Sequence, residues 1–326
     1  MKSEFKWIAE IQKKLGRPSR RVEVGIGDDA AVLLPDARRL VVTVDCVVEN
    51  THFDLSYMTP EEVGWKALAV NLSDIAAMGA LPESVVVSVG LPGERADELL
   101  PGLYKGIRKI ANRYGVDVVG GNLSRSATFF VDVTALGRGT APLLRSGAKA
   151  GDWVGYFGKL GEAAAGYEVL KRLGRKRAFK KWPTLCRAQM VPTPQTERGI
   201  SLGKIPGVNA LIDVSDGLVS ELGHLSHASK VEMEIETARI SLSKPLQEAA
   251  MFLKRDPLEL ALYGGEDYAL LFTASPKAWP TLQKQGAQWL GKVKKGKGIW
   301  AVAPGARWPL KAKGFDHFQR QGERFS

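Results

Sequence analysis

Gly25-Ile26-Gly27-Asp28-Asp29-Ala30-Ala31-Val32, with the apolar run Leu40-Val41-Val42-Thr43-Val44-Asp45 soon after it, is the stretch around which the chain is organised. A paired carboxylate on a glycine turn leads into a strand that ends in another carboxylate. Like charges gathered in this way repel one another unless a cation holds them. Magnesium takes oxygen ligands, usually a few carboxylates together with substrate phosphates, so the pattern points to a magnesium-phosphate site. An Asp-Asp turn by itself is more often simply solvated. The reading gains weight because the pattern recurs. Ala210-Leu211-Ile212-Asp213-Val214-Ser215-Asp216-Gly217-Leu218 is a second strand running into an acid-hydroxyl-acid turn, which caps a helix expected over 217–228.

With 326 residues the chain exceeds one compact core of ordinary size, and two domains are expected. Composition is that of a soluble globular protein, 44% hydrophobic and 25% charged. Cys46 and Cys186 make no disulfide framework and sit in no metal-ligand spacing, which fits a reducing cytoplasm. The start, Met1-Lys2-Ser3-Glu4-Phe5-Lys6-Trp7, turns charged before an apolar leader can develop, and no stretch reaches membrane-span length. The expected location is therefore cytoplasmic, with no membrane partner. The net charge of +11 is concentrated in two runs, Lys171 to Lys181 and Lys292 to Lys297. Without the interleaved aromatics of single-strand stacking surfaces, these read as solvated faces rather than a nucleic-acid site.

Strand and helix signals alternate. Residues 3–15 have an amphipathic helix pattern closed by Gly16 and Pro18. A strand is expected over 40–45. Thr59-Pro60-Glu61-Glu62 is a capping box with proline at the first helical position, so a helix is expected from there to Met78, with Gly79 as its stop. Asp74 falls in its last turns, where a carboxylate opposes the helix dipole unless something offsets it. Further expectations are a strand over 84–90, a helix over 94–114 interrupted or kinked at Pro101, a strand over 116–119 running into Gly120-Gly121-Asn122, and a strand over 128–136. Gly147 to Asp152 reads as a linker, dividing the chain into 1–146 and 147–326. In the second part, strand 153–157 enters a helix through the glycine turn 158–161. Such a turn can bind phosphate, but it is also the ordinary way into a helix, which is the reading preferred. Tyr263-Gly264-Gly265-Glu266-Asp267-Tyr268 precedes a strand over 268–273. His224 and His227 lack the i, i+4 spacing of a helical metal pair.

Standard phosphate motifs are absent. Gly286 to Val293 matches P-loop spacing until its last position, where valine replaces the magnesium-binding hydroxyl, so the match is coincidental. No kinase signature set, nucleophile elbow or dinucleotide fingerprint occurs.

Taken together, GIGDDAAVL, TVDCVVENTHF, KALAVNLSDIAAMGA, VVGGN, LLRSGAKAGDW, LIDVSDGL, YGGEDYALLF and GFDHF resemble, in order and over nearly the whole chain, the thiamine-monophosphate kinase family. Its superfamily includes aminoimidazole ribonucleotide synthase and selenophosphate synthetase. The resemblance implies a two-domain aminoimidazole ribonucleotide synthase-like fold: an N-terminal α/β domain that dimerises through its sheet, and a C-terminal α+β domain. ATP would lie between them with several magnesium ions. Magnesium ligands would be Asp29, Thr43, Val44 through its carbonyl, Asp45, Asp74, Asn122, Asp213 and Asp216. Gly121, Asn122, Arg145 and Ser215 would contact ATP, while His52, Glu266 and Phe315 would contact thiamine monophosphate. The expected reaction is direct in-line transfer with no catalytic general base. The sequence departs from the family at Asn122-Leu123-Ser124, where aspartate and two threonines are usual. It departs also at Val44, which replaces a hydroxyl residue, and at Ala269, which replaces an acid. Two other readings are a superfamily enzyme with a different acceptor and a non-catalytic basic nucleic-acid-binding relative; the retained carboxylates argue against the second.

Overall fold

The computed structural model describes residues 4–16, 19–24, 32, 33, 35 and 38–311. It begins with α1 (Glu4–Leu15), β1 (Val22–Val24), β2 (Val32–Leu33) and β3 (Arg39–Val48). Next come α2 (Pro60–Ala77), β4 (Leu81–Leu91), α3 (Ala96–Tyr114), β5 (Asp117–Arg125) and β6 (Phe130–Gly139). Then follow β7 (Trp153–Phe157), α4 (Glu162–Lys181), α5 (Pro183–Met190), α6 (Thr196–Leu202), β8 (Val208–Val214), α7 (Leu218–Ser229) and β9 (Glu232–Ile235). The last elements are α8 (Lys244–Leu253), α9 (Pro257–Tyr263), β10 (Ala269–Ala274), α10 (Trp279–Lys284), β11 (Gln288–Lys294), β12 (Gly298–Ala303) and β13 (Ala306–Leu310).

Two main sheets result. Strands β3-β6-β4-β5 form the first, with β4 and β5 parallel across the α3 crossover and the other pairs antiparallel. The second has seven strands in the order β13-β12-β9-β11-β7-β10-β8. Strand β10 shows why its sequence reads as a continuous apolar run. Ala269 and Leu271 pack on one face with α7, while Leu270, Phe272 and Ala274 pack on the other with Leu202, Trp279 and the end of α2. A strand covered on both faces needs no polar alternation.

Helix α2 runs from one sheet to the other. The Thr59 hydroxyl accepts the Glu62 N–H at 3.3 Å and the Glu62 carboxylate accepts the Thr59 N–H at 2.8 Å, so the expected capping box forms. Its apolar residues face in all directions, as expected for a helix buried all round. Leu68, Leu72 and Ile75 belong to the core beneath the first sheet, and Ala76 and Ala77 to the core of the second. Helix α3 packs along it at glycine distance: a Cβ on Gly64 would overlap the Leu103 carbonyl, and one on Gly106 the Glu61 carbonyl.

Several expectations change in detail. Helix α3 runs unbroken through Pro101, which lies in the second turn, where the missing N–H removes a single intrahelical bond. Gly120-Gly121-Asn122 does not end a strand but lies inside β5, next to a register shift opposite Val85 and Val86. Helix α4 is broken at Gly174, with φ +71, and its second part carries most of the first basic run. That run is used in packing: Arg175 grips Glu62 at 2.7 and 2.8 Å, and Lys181 lies over the Trp182 and Phe252 rings. In the coincidental P-loop match, residues 288–294 form strand β11, where a P-loop needs a helix.

Replacing Gly106 by alanine forces α2 and α3 apart, and should cost about 2–3 kcal/mol. The urea unfolding midpoint measures this; an unchanged midpoint would mean that the helices separate freely.

Candidate active site

The strand-borne acid and the α2 acid meet because β3 lies over α2. Thr43 and Asp45, two residues apart, share the strand face toward the helix. Thr43 Oγ1 donates to Asp74 Oδ2 at 2.5 Å, and the Asp45 and Asp74 carboxyls are within hydrogen-bonding reach of each other. Asn71, one turn before Asp74, fixes the backbone of Asp45: its Oδ1 accepts the Asp45 N–H at 3.1 Å, and its Nδ2 donates to the Asp45 and Ala67 carbonyls. From the second sheet, Asp213 points out of β8 toward α2 and accepts a buried hydrogen bond from Ser73 Oγ at 2.6 Å. Asp216 follows on the turn into α7, where the Glu221 carboxyl accepts its N–H at 3.2 Å and the Ser215 hydroxyl at 3.5 Å.

This gathering of acids has an electrostatic cost. Desolvation first, then Asp74, Asp213 and Asp216, push Asp45 up to about 7. Asp45 is also exposed in part to water, and repulsion from its neighbours adds to the effect of burial there. Asp213 is buried and likewise raised, by desolvation and then by Asp74. Desolvation also raises Asp74, against the pull of Thr43 and Arg145. Glu221 is pushed up to about 8 by burial and by Asp213. Arg145, exposed after β6, is the cation whose field reaches Asp74, Asp213 and Glu221. Among the described residues no three His, Cys, Asp or Glu side chains stand ready-made around one ion. The donor set still suits magnesium, which uses one or two carboxylates plus substrate phosphates rather than a complete protein cage.

The expected acceptor-substrate residues form a second group. His52 Nδ1 accepts the Val48 N–H at 3.1 Å, so a neutral ring carries its proton on Nε2. Glu266 has φ +64 and Tyr268 φ +47, both in the left-handed region that costs a side-chain-bearing residue about 1–2 kcal/mol. The turn is pinned there. Glu266 and Tyr268 donate their N–H groups to the carbonyls of Ser215 and Val214, and Asp267 accepts from Gly161 and Ala163 at 2.6 and 3.1 Å. Asp267 thus occupies the Gly161 and Ala163 amides at the start of α4, which supports the reading of the glycine turn as a helix entry.

Other positions lie apart. Asn122 donates to Ser124 Oγ at 2.8 Å on the exposed part of β5. The register aligns Asp45, Val133, Val87 and Gly121 in one row across the sheet. Gly121 and Asn122 are therefore three strand spacings, about 14 Å, from Asp45 within the chain, too far to share an ion with it. Glycine at 121 is required by the sheet itself, since a Cβ there would overlap the Val87 carbonyl. Val44 is exposed on the opposite face of β3, and Ala269 is fully buried in β10. Asp29 and Phe315 lie outside the described residues. The sequence reading left Lys66, Asn71, Ser73, Gln189, Glu221 and Asp267 without roles. Lys66, Asn71 and Ser73 did carry a signal, being polar residues in a helix otherwise apolar all round.

Carboxylates gathered from two sheets around one shared helix suit a nucleotide-handling site, and the fold is that of the aminoimidazole ribonucleotide synthase class. Residues 27–139 match the family model described as AIR synthase related protein, N-terminal domain. The chain belongs to the thiamine-monophosphate kinase family. It is 36% identical over 304 residues to the thiamine-monophosphate kinase of Mycobacterium tuberculosis, covering 88% of this chain and 89% of that one. The crystal structure of thiamine-monophosphate kinase from Stenotrophomonas maltophilia K279a superimposes with a TM-score of 0.82 at 32% identity, over 92% of this chain and 96% of that one. The structure of AaThiL complexed with AMPPCP and TMP gives a TM-score of 0.79 at 34% identity, over 98% of this chain and 99% of that one.

Because folding raises Asp45 and Asp213 from 3.8 to about 7, it favours their protonated forms. That stabilising contribution is complete below pH 3.8 and is lost as pH climbs to about 7. In metal-free protein, the Tm of Asp45→Asn minus that of wild type should rise across this window. A difference independent of pH would show that the Asp45 carboxyl is not crowded.

Proposed function

We propose that this chain phosphorylates thiamine monophosphate to thiamine diphosphate with ATP, as a cytoplasmic enzyme with its parts divided near 146/147. The observation that carries the reading is the convergence of Thr43, Asp45 and Asp74 from the first sheet and its helix with Asp213 from the second. It occurs in a chain that aligns throughout with a kinase holding an ATP analogue and TMP. Asp29, Asp45, Asp74, Asp213 and Asp216, with Thr43 and the Val44 carbonyl, would hold magnesium ions. Bound there, magnesium supplies the positive charge that neutralises the terminal phosphates during transfer. Arg145, Ser215 and Gly121 would contact ATP, and His52, Glu266 and Phe315 the acceptor.

In the reaction a phosphate oxygen of thiamine monophosphate forms a bond to the γ-phosphorus of ATP while the bond to the β,γ-bridging oxygen breaks, and ADP leaves. The attacking monoester has a second pKa of about 6 and is already largely ionised near neutral pH. No side chain needs to remove a proton, so the work of the chain is alignment and charge.

A homodimer would resolve the distance to Asn122. Strand β3 is an edge strand, and on the face away from α2 it exposes Leu40, Val42 and Val44. Val44, Thr134 and Val86 form one row of that face, and Val42 and Leu136 another. A second copy laid on this face, its β5 edge along β3, would bring Asn122 of each chain toward Asp45 of the other.

Purified protein with ATP and magnesium should form thiamine diphosphate from thiamine monophosphate and none from thiamine, and Asp45→Asn should abolish formation. Magnesium-dependent ATP binding without product would move the argument to a different acceptor. Asn122→Asp, which restores a negative charge, should lower the magnesium concentration giving half-maximal rate. An unchanged requirement would exclude position 122 from metal binding.

A further inference from the structure

Lys66 is a fully buried lysine in the middle of α2, and it takes no part in the phosphate chemistry derived above. Its Nζ pairs with Glu266 Oε1 at 2.7 Å and donates to the carbonyl oxygen of His52 at 2.8 Å. One ammonium thus joins the two described residues expected to contact the acceptor substrate. His52 comes from the loop after β3, and Glu266 from the turn before β10. The other Glu266 oxygen, Oε2, accepts from the amide of Gln189 on α5 at 2.5 Å, and Gln189 is itself buried. Both oxygens of Glu266 are therefore held, by side chains of two helices, α2 and α5, and the backbone beneath them is in a left-handed conformation that needs such restraint.

An ammonium taken wholly out of water is retained only where its charge is matched and its hydrogen bonds are made. A methionine would fill the same volume in the core at less cost. Stability alone gives no reason for lysine here, whereas fixing two recognition groups against each other does. We infer that Lys66, seconded by Gln189, is a positioning residue for acceptor recognition: it sets the distance between His52 and Glu266 and leaves Glu266 as a charge-matched acceptor for a hydrogen-bond donor of the substrate. This inference rests on the reading of the site as a thiamine-monophosphate kinase site.

Lys66→Met leaves Glu266 without its cation, but the Glu266 side chain is 28% exposed, so water can solvate the carboxylate and the fold should survive. Steady-state kinetics with the full chain, ATP, magnesium and thiamine monophosphate compare wild type, Lys66→Met, Glu266→Gln and the double variant. The KM for thiamine monophosphate should rise about tenfold or more in Lys66→Met. The KM for ATP should stay within about twofold, a split that general loosening of the fold would not produce. Because Lys66 acts through Glu266, the double variant should be little worse than Glu266→Gln alone. Gln189→Leu, which releases only Oε2, should shift the same KM in the same direction by a smaller factor, and it serves should Lys66→Met fail to fold. An unmoved KM for thiamine monophosphate, an equal rise for both substrates, or full additivity in the double variant would overturn the role of Lys66 while leaving the function intact. Wild-type protein that makes no thiamine diphosphate would overturn the function and this role with it.

Discussion

The structure depends on the burial of α2 between the two sheets. A helix with water on no side must satisfy every polar group it carries, because an unpaired buried donor costs about 1–3 kcal/mol. Three polar residues of α2 are nevertheless fully buried: Lys66, Asn71 and Ser73. Each is satisfied by a segment that forms the cleft. Lys66 reaches His52 and Glu266, Asn71 the backbone of Asp45, and Ser73 the carboxylate of Asp213. The requirement to bury no unpaired group thus becomes a requirement on where the site residues stand.

Helical geometry divides these tasks. Lys66 and Ser73, seven residues apart, lie on one face, and both reach residues of the second half, Glu266 and Asp213. Asn71 and Asp74, three apart, lie on another face, beneath Asp45 and Thr43. One rigid element therefore sets the first-sheet donors against the second-sheet donors. The close approach of α3 at Gly64 and Gly106 limits how far it can shift.

The carboxylates work against this order. Burial raises the proton affinity of Asp45, Asp74 and Asp213, and repulsion from Asp74 adds to it at Asp45 and Asp213. Folding places them there because the apolar faces of β3, β8 and α2 must be covered, and the acids are carried on those same elements. Stability is given up locally, a cost that a cation bound among these acids would offset.

Much of this was legible in the sequence. The capping box at Thr59 fixed the start of α2, the apolar runs at 153–157, 210–214 and 268–273 marked buried strands, the run at 40–45 marked a strand that lies at an edge with one face open, and the acids at 45, 74 and 213 could be named from motifs alone. These are local properties, set by caps, periodicity and turn chemistry within a few residues. Tertiary structure alone decided what lies opposite what. It placed Asp267 over the glycine turn at 161, put Asn122 on the far edge of the sheet from Asp45, and gave Lys66 its two partners, one fourteen and the other two hundred residues away. No local pattern encodes such pairs, because they are chosen by the packing of whole elements and by the need to satisfy each polar group buried between them.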